Sequence, residues 1–453
     1  IKRGGQQKKD AVARHAELWG LRKQKYDWLS NNDLDATEWR ELVPKSEFYL
    51  FVPRTDKGLD VYERWPHVPE IFVVNSTGIK THRDHFVFDF DCEALKRRIR
   101  QFRDRNLTDD FVRGALKLKD TGDWKMSERR KKVEEDVDWE DKIVKCLYRP
   151  FDMRWVFYHY HAIDRGRLEV MRHMLAGENV ALITPKQHKD EFGAFTTETI
   201  GVHKSVAAYD TNYYFPLYLY PNADRDDLFA QHEPAERRPN LNPKAVAALA
   251  QAYGVAPSPE EIFHYVYAVL YAPAYREKYA EFLRMDFPRV PFTSDVRLFG
   301  QLVALGERLT ALHLLTSAEL DPPTCRFEVE GDSRIGKGKS AGLRYEAKEQ
   351  CVYINATQYF APVAETVWSY QVGGYQVCEK WLKDRQERRL DLDDIRTYCR
   401  IVTALGRTLV IQTEIDALYP GVEKNVVAIP GHTSEVESGS PPIGSTRRRT
   451  RRT

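Results

Sequence analysis

Val367-Trp368-Ser369-Tyr370-Gln371-Val372-Gly373-Gly374-Tyr375-Gln376-Val377 leads, past Cys378, into Glu379-Lys380-Trp381-Leu382-Lys383-Asp384-Arg385. Trp368, a glycine pair and a Tyr-Gln step stand directly before a basic segment with helical spacing that carries a second tryptophan, Trp381. Such a density of rare residue types marks a built element rather than filler. Outward from it, residues 325–329 and 351–355 read as two β segments around a Gly/Lys loop, and 393–418 reads as a long closing helix.

Further upstream the apolar period alternates between strand and helix. Around 257–284 it is 3.6, with Ile262, Val266, Val269 and Leu270 on one face. Ser258 with Glu261 three residues on is a capping-box signature for that helix, and another helix is expected over 298–315. Aromatic strands are expected over 155–160 and 215–221. Residues 92–146 are charged and read as helical, whereas 37–91 alternate apolar and polar residues, notably at 48–53 and 71–75, and read as strands. Residues 11–29 read as a short strand edge, Gly20, and an amphipathic helix with Lys23, Lys25, Tyr26 and Trp28. The expected class is α+β: mixed or antiparallel sheets with helical insertions, in two or more subdomains.

The chain has 453 residues, 42% of them hydrophobic and 12% aromatic, enough for a real core. No run of ~20 apolar residues predicts a membrane span. No signal sequence is visible, and a start at Ile1 reads as a fragment of a longer product. The cysteines at 92, 146, 325, 351, 378 and 399 form no Cys-x-x-Cys pair, which argues against a zinc ribbon or disulfide framework and suits a cytoplasmic protein. Net charge is only +2, yet 30% of residues are charged. The basic ones cluster at 96–105, 125–132 and 447–452, as on a phosphate-binding surface or a solvated helix face. The last cluster follows a Ser/Gly/Pro-rich stretch and reads as a disordered tail.

Catalytic motifs are weak. Asp321-Pro322-Pro323-Thr324 and Ser440-Pro441-Pro442-Ile443 lack the aromatic that an amino-methyltransferase stacks on a flipped base. No glycine-rich turn is placed to hold S-adenosylmethionine. Gly331-Asp332-Ser333-Arg334-Ile335-Gly336-Lys337-Gly338-Lys339-Ser340 has Gly338 where a P-loop needs Ser or Thr, so a flexible hairpin loop is expected. Asp332, Glu346 and Lys348 distantly match a nuclease triplet, which would make the chain a magnesium-dependent nuclease. His159 with His161 on one strand face, and His82 with His85, are weak metal candidates without a third ligand.

Basic loops carry the positive signals. Arg165-Gly166-Arg167 precedes a helix start bearing Arg172, and arginine can fork onto guanine or bind phosphate. Thr184-Pro185-Lys186-Gln187-His188-Lys189 leaves a strand into donor-rich sequence, where Gln187 could pair with adenine. The aromatic 265–270 and 282–288 stretches fit helix core.

These markers, in order, resemble the C-terminal specificity region of adenine-specific DNA methyltransferases, above all type ISP restriction-modification proteins. The resemblance runs from Thr37-Glu38-Trp39 and Val74-Asn75-Ser76-Thr77-Gly78-Ile79-Lys80-Thr81-His82-Arg83-Asp84 through Tyr148-Arg149-Pro150-Phe151-Asp152 and Glu169-Val170-Met171-Arg172 to Phe215-Pro216-Leu217-Tyr218. It continues through Ile262-Phe263-His264-Tyr265 and Asp286-Phe287-Pro288-Arg289 to the Trp368 cluster, covering roughly residues 11–418. The chain departs at Gly166, where the family tends to have proline, and in the loop after Thr184, where arginine is common. The resemblance implies residues 1–36 as the edge of a methyltransferase core, 37–146 as a connecting α+β region, 147–425 as the target-recognition domain and 426–453 as a basic tail. It implies no catalytic residue or cofactor here, and S-adenosylmethionine in a separate catalytic domain. The partners implied are double-stranded DNA and the methyltransferase, helicase or nuclease domains of the same polypeptide, in phage defence. Candidate DNA contacts are Arg149, Arg154, Arg165, Arg167, Arg172, Lys186, Gln187, Lys189, Lys337, Lys339, Tyr375, Gln376, Lys380 and Lys383. The rival expectation is a scaffold that docks onto a helicase or nuclease partner, with its basic clusters as solvated faces.

Overall fold

The computed structural model describes residues 12–18, 20–42, 58–122, 124–221, 236–338 and 342–430. Backbone contacts divide the chain between Asp60 and Val61. In the first unit, the strand Ala13–His15 pairs antiparallel with Arg40–Leu42, and the helix Arg22–Asn31 lies between them in sequence with no buried residue.

The second unit contains two four-stranded sheets. One has the order Ser76–Thr77, Asn212–Pro216, Ala181–Pro185, Phe195–Thr197, antiparallel throughout. Ala181–Pro185 is buried along its whole length, so it is apolar rather than alternating. The other has the order Phe88–Asp89, Asp152–Phe157, Ile143–Arg149, Ile200–Gly201, with only the last pair parallel. The sheets are stitched where their strands meet: Ile79 N–H donates to Gly201 O at 2.9 Å, and the Tyr214 hydroxyl donates to Val202 O at 2.8 Å.

A helical layer closes the unit. Pro259–Tyr271, capped by the expected Ser258/Glu261 box, packs on Val296–His313, and both meet Leu392–Val422. The first two approach so closely at Gly306 that a Cβ there would lie 1.9 Å from His264 O. Where they meet the third helix, the core is polar. His313 is 3% exposed; the Tyr267 hydroxyl lies 2.6 Å from its Nδ1, and its Nε2 lies 3.0 Å from Thr408 Oγ1. Thr408 spends its own proton on Ala404 O. That leaves Nε2–H as donor and Nδ1 as acceptor, so the neutral imidazole satisfies all three groups.

Burial holds the His313 pKa down at about 3. An unfolded histidine titrates near 6.5, so the unfolded state binds the extra proton throughout the interval. This contribution is complete above about pH 6.5 and is lost as pH falls towards 3, at roughly 1.4 kcal/mol per unit. Urea unfolding from pH 7 to pH 5 should therefore show a loss of roughly 2 kcal/mol, and His313→Gln, less stable at pH 7, should flatten that slope. An unchanged slope would show that His313 protonates in the fold.

Several expectations need correction. Residues 71–75 are not a strand: Pro69 near its start and the Glu70 carboxylate on the His67 N–H make Val68–Ile71 a helical turn that buries Val68 and Ile71. Residues 143–149 form a strand rather than extending the charged helices Cys92–Arg103, Asp109–Ala115 and Met126–Glu135. Of 325–329, only Arg326 pairs, in an isolated bridge to Ala361. The Gly331 loop is anchored rather than a free hairpin loop: Ile335 is 1% exposed, with backbone bonds to Glu387 and Arg388. His159 and His161 lie beyond the end of strand Asp152–Phe157. The expected strand at 48–53 and the 440–443 motif fall outside the described residues.

Candidate nucleic-acid interface

Three segments far apart in sequence are drawn together at one edge of the sheets. Lys80 and Arg165 exchange backbone hydrogen bonds at 3.0 and 2.9 Å, Asp164 N–H also donates to Lys80 O, and His203 N–H donates to Ile79 O at 3.0 Å. The Tyr158 hydroxyl holds the middle of the Arg165–Arg167 loop through Gly166 O at 2.5 Å. Lys80, Arg165, Arg167, His203 and Lys204 are thereby gathered on one surface, with Arg165 exposed and the others half-buried. Arg167 takes up φ +56° at the start of helix Leu168–Leu175, and its Nε is buried without a hydrogen-bond partner. A hollow of about 400 Å³ opens here, lined by Thr81, His82, Asp84, Arg149, His203 and Lys204 among others. A second of about 220 Å³ shares Asp84 and His85 and reaches Arg154 and Arg388.

The cleft is supported from behind by the sequence cluster at 367–385. Gln371–Val372 and Tyr375–Gln376 form a hairpin turned at Gly373, φ +56°. A Cβ at Gly373 would lie 2.5 Å from Val206 O, so only glycine lets the hairpin sit so close. Tyr375 is buried, and its hydroxyl donates to Lys204 O at 2.9 Å. The same carbonyl accepts from Arg149 Nη1 at 2.9 Å, and the Arg149 guanidinium lies over the Tyr375 and Tyr148 rings. The cluster thus positions a cationic surface from beneath. Gln376 is committed likewise, donating to Trp368 O at 2.8 Å.

Below Tyr148 lies a charged network that ties the sheet to the C-terminal helices. Asp152, 1% exposed, accepts from Arg154 Nε and Nη2 at 3.0 and 2.6 Å and pairs with Arg385 at 3.0 Å. Arg154 also reaches Asp384, Arg385 reaches Asp394, and Lys380 bonds Asp384. Arg154 and Lys380 are therefore engaged internally.

The remaining candidates are dispersed. Arg172 donates to Tyr220 O at 3.1 Å. Lys186, Gln187 and Lys189 project from an exposed loop: Lys186 lies 3.7 Å from Asp286, Gln187 donates to Met285 O at 3.0 Å, and the Lys189 backbone is held by Asp210. Lys337 pairs with Glu387 and Lys383 with Glu379. Lys339 lies outside the described residues. Sequence reading did not single out Lys80, although it lies in a marker of the resemblance, or Lys204 as site residues; their placement comes from backbone pairing of Lys80 with Arg165 and of Ile79 with His203, about 85 and about 120 residues apart.

The weaker motifs are tied into the fold. Asp332 accepts from its own loop at Arg334 N–H, and Glu346 faces Arg344 at 3.6 Å. His82 faces Asp164 at 3.6 Å, and His159 faces Asp136 at 3.0 Å. Among the described residues, no group of three or more His, Cys, Asp or Glu side chains could hold a metal ion, and no helix is long and apolar enough to cross a membrane.

A family model described as the Type ISP C-terminal specificity domain matches residues 70–412. No curated protein sequence matches the chain. Among solved structures, a DrdV–DNA complex resembles it with a TM-score of 0.67 and 22% identity, over 86% of this chain and 42% of that one. A nuclease-deletion mutant of the Type ISP restriction-modification enzyme LlaGI, in complex with a DNA substrate mimic, gives a TM-score of 0.63 at 19% identity, over 87% and 32%. The ATP-dependent Type ISP restriction-modification enzyme LlaBIII, bound to DNA, gives 0.63 at 18%, over 83% and 26%. At these identities the likeness is one of fold, and this chain spans less than half the length of each.

Proposed function

Because this chain belongs to the Type ISP C-terminal specificity domain family, we propose that it supplies DNA target recognition to a restriction-modification enzyme that methylates adenine at N6. The observation that carries the reading is that the matched range, 70–412, contains every segment of the cationic cleft. A surface of Lys80, Arg165 and Lys204 on rigid, backbone-paired loops suits phosphate gripping, which fixes register but carries no sequence information. Base edges are then read by side chains that project between those grips, and Gln187 on its exposed loop is a candidate.

In this proposal the chain itself transfers no methyl group. The adenine is flipped, and S-adenosylmethionine held, by the catalytic part of the enzyme. Helicase or nuclease domains act on the sites that this chain selects, in cytoplasmic defence against foreign DNA. The test of the finer reading is the product. DNA exposed to the enzyme that carries this chain and then digested to nucleosides should contain N6-methyladenine, confined to one short motif. Methylation of cytosine instead, or of adenines at random, would overturn it.

A further inference from the structure

A carboxylate sits in the middle of the cationic cleft. Asp84 is exposed and borders both hollows; Arg149, His203 and Lys204 line one of them with it, and Arg154, Arg388 and Asp89 line the other, where Asp89 is paired with Arg98. It is held from two directions. The Thr81 hydroxyl bonds Oδ1, and the Tyr148 hydroxyl donates to Oδ2 at 2.7 Å. Both holders are themselves fixed: Thr81 is 3% exposed, and the Tyr148 ring lies under the Arg149 and Arg154 guanidinium groups at 4.4 and 3.7 Å. A hydroxyl bond to each oxygen leaves each a lone pair for a further donor.

A surface that only grips phosphates gains nothing from a negative charge at its centre, since that charge repels the backbone it must bind. A fixed, solvent-facing acceptor fits a ligand group that donates hydrogen bonds. On duplex DNA the donors of the major groove are the exocyclic amines, N6 of adenine and N4 of cytosine. The adenine amine is flanked by N7, whose lone pair repels a carboxylate, whereas the cytosine amine is flanked by C5–H. We infer that Asp84, oriented by Thr81 and Tyr148, reads the N4 amine of a cytosine in the recognised sequence.

This rests on the target-recognition reading above and adds one position to it. The test is selection from a randomised duplex library with the whole chain and with Asp84→Asn, which keeps the shape and one acceptor but replaces the other with a donor. The wild-type motif should contain a fixed C·G pair. In Asp84→Asn the preference at that pair should fall about 10- to 100-fold, with the other positions and the salt dependence kept. Asp84→Ala should lose the same position, and thermal melts of both variants show whether they are folded. A wild-type motif without a fixed C·G pair, or a variant motif identical to wild type, would overturn the inference and leave target recognition standing. Absence of any motif from the wild-type selection would overturn both.

Discussion

Replacing Asp152 with alanine is expected to lower the stability of the second unit by about 3–5 kcal/mol, the cost of stripping one partner from a buried ion pair. Asp152 is 1% exposed, and the side chains of Arg154 and Arg385 around it are 12% and 5% exposed. Without the carboxylate, Arg385 keeps Asp394 and Arg154 keeps Asp384, but the centre between the two guanidinium groups is left uncompensated. The ring faces of Phe90, Trp381 and Tyr148, which lie within 3.5–4.6 Å of those guanidinium groups, soften the loss without replacing a charge. Urea unfolding should show the drop in midpoint, and Asp152→Asn should be intermediate because it keeps an acceptor. A loss below about 1 kcal/mol for the alanine variant would place Asp152 among ordinary surface pairs and remove the network as the tie between sheet and C-terminal helices.

The second large effect concerns binding. A variant with Lys80, Arg165 and Lys204 all changed to glutamine should bind duplex DNA with a shallower salt dependence. The log–log slope should decrease by about 0.9 per phosphate contact removed, roughly 2.7 in all. Referred to 1 M salt, that is about eightfold per contact at 0.1 M, or about 500-fold together. Lys337→Gln and Lys383→Gln serve as comparisons, because each of these lysines is already paired with a glutamate. They should change the slope little. Fluorescence anisotropy against salt concentration reads both effects. If the triple variant kept its slope while the two comparisons lost theirs, the DNA would lie against the Gly331 loop and the Glu379 helix instead.

What the sequence made legible was local. The Ser258/Glu261 box and the 3.6 period of the aromatic helix follow from near neighbours, and that helix lies where the pattern put it, whereas the aromatic strand expected over 155–160 runs over 152–157. The resemblance carried more, because an ordered set of markers records long-range packing that no single window holds. The site was less legible for the converse reason. Tyr375 and Gln376 look like surface readers in a string of residues, but the turn at Gly373 folds them inward, and their polar tips bond Lys204 O and Trp368 O. Arg154 looks like an available cation until Asp152 and Asp384 are placed on either side of it. Lys80 and Lys204 join Arg165 on one surface only when backbone pairing brings 79–80, 164–165 and 201–204 together. The expected boundary at 146/147 likewise falls inside strand Ile143–Arg149, in a sheet that also holds Phe88–Asp89 from before it and Asp152–Phe157 and Ile200–Gly201 from after it.

The central claim is that this chain chooses a DNA sequence. The most direct measurement is selection of bound duplexes from a randomised library at moderate salt, followed by sequencing of the bound pool. Enrichment of one short motif containing an adenine is the expected result. Salt-sensitive capture of all sequences alike would contradict it and leave a non-specific clamp. No capture by a folded sample would contradict it in favour of a scaffold that docks onto a helicase or nuclease partner.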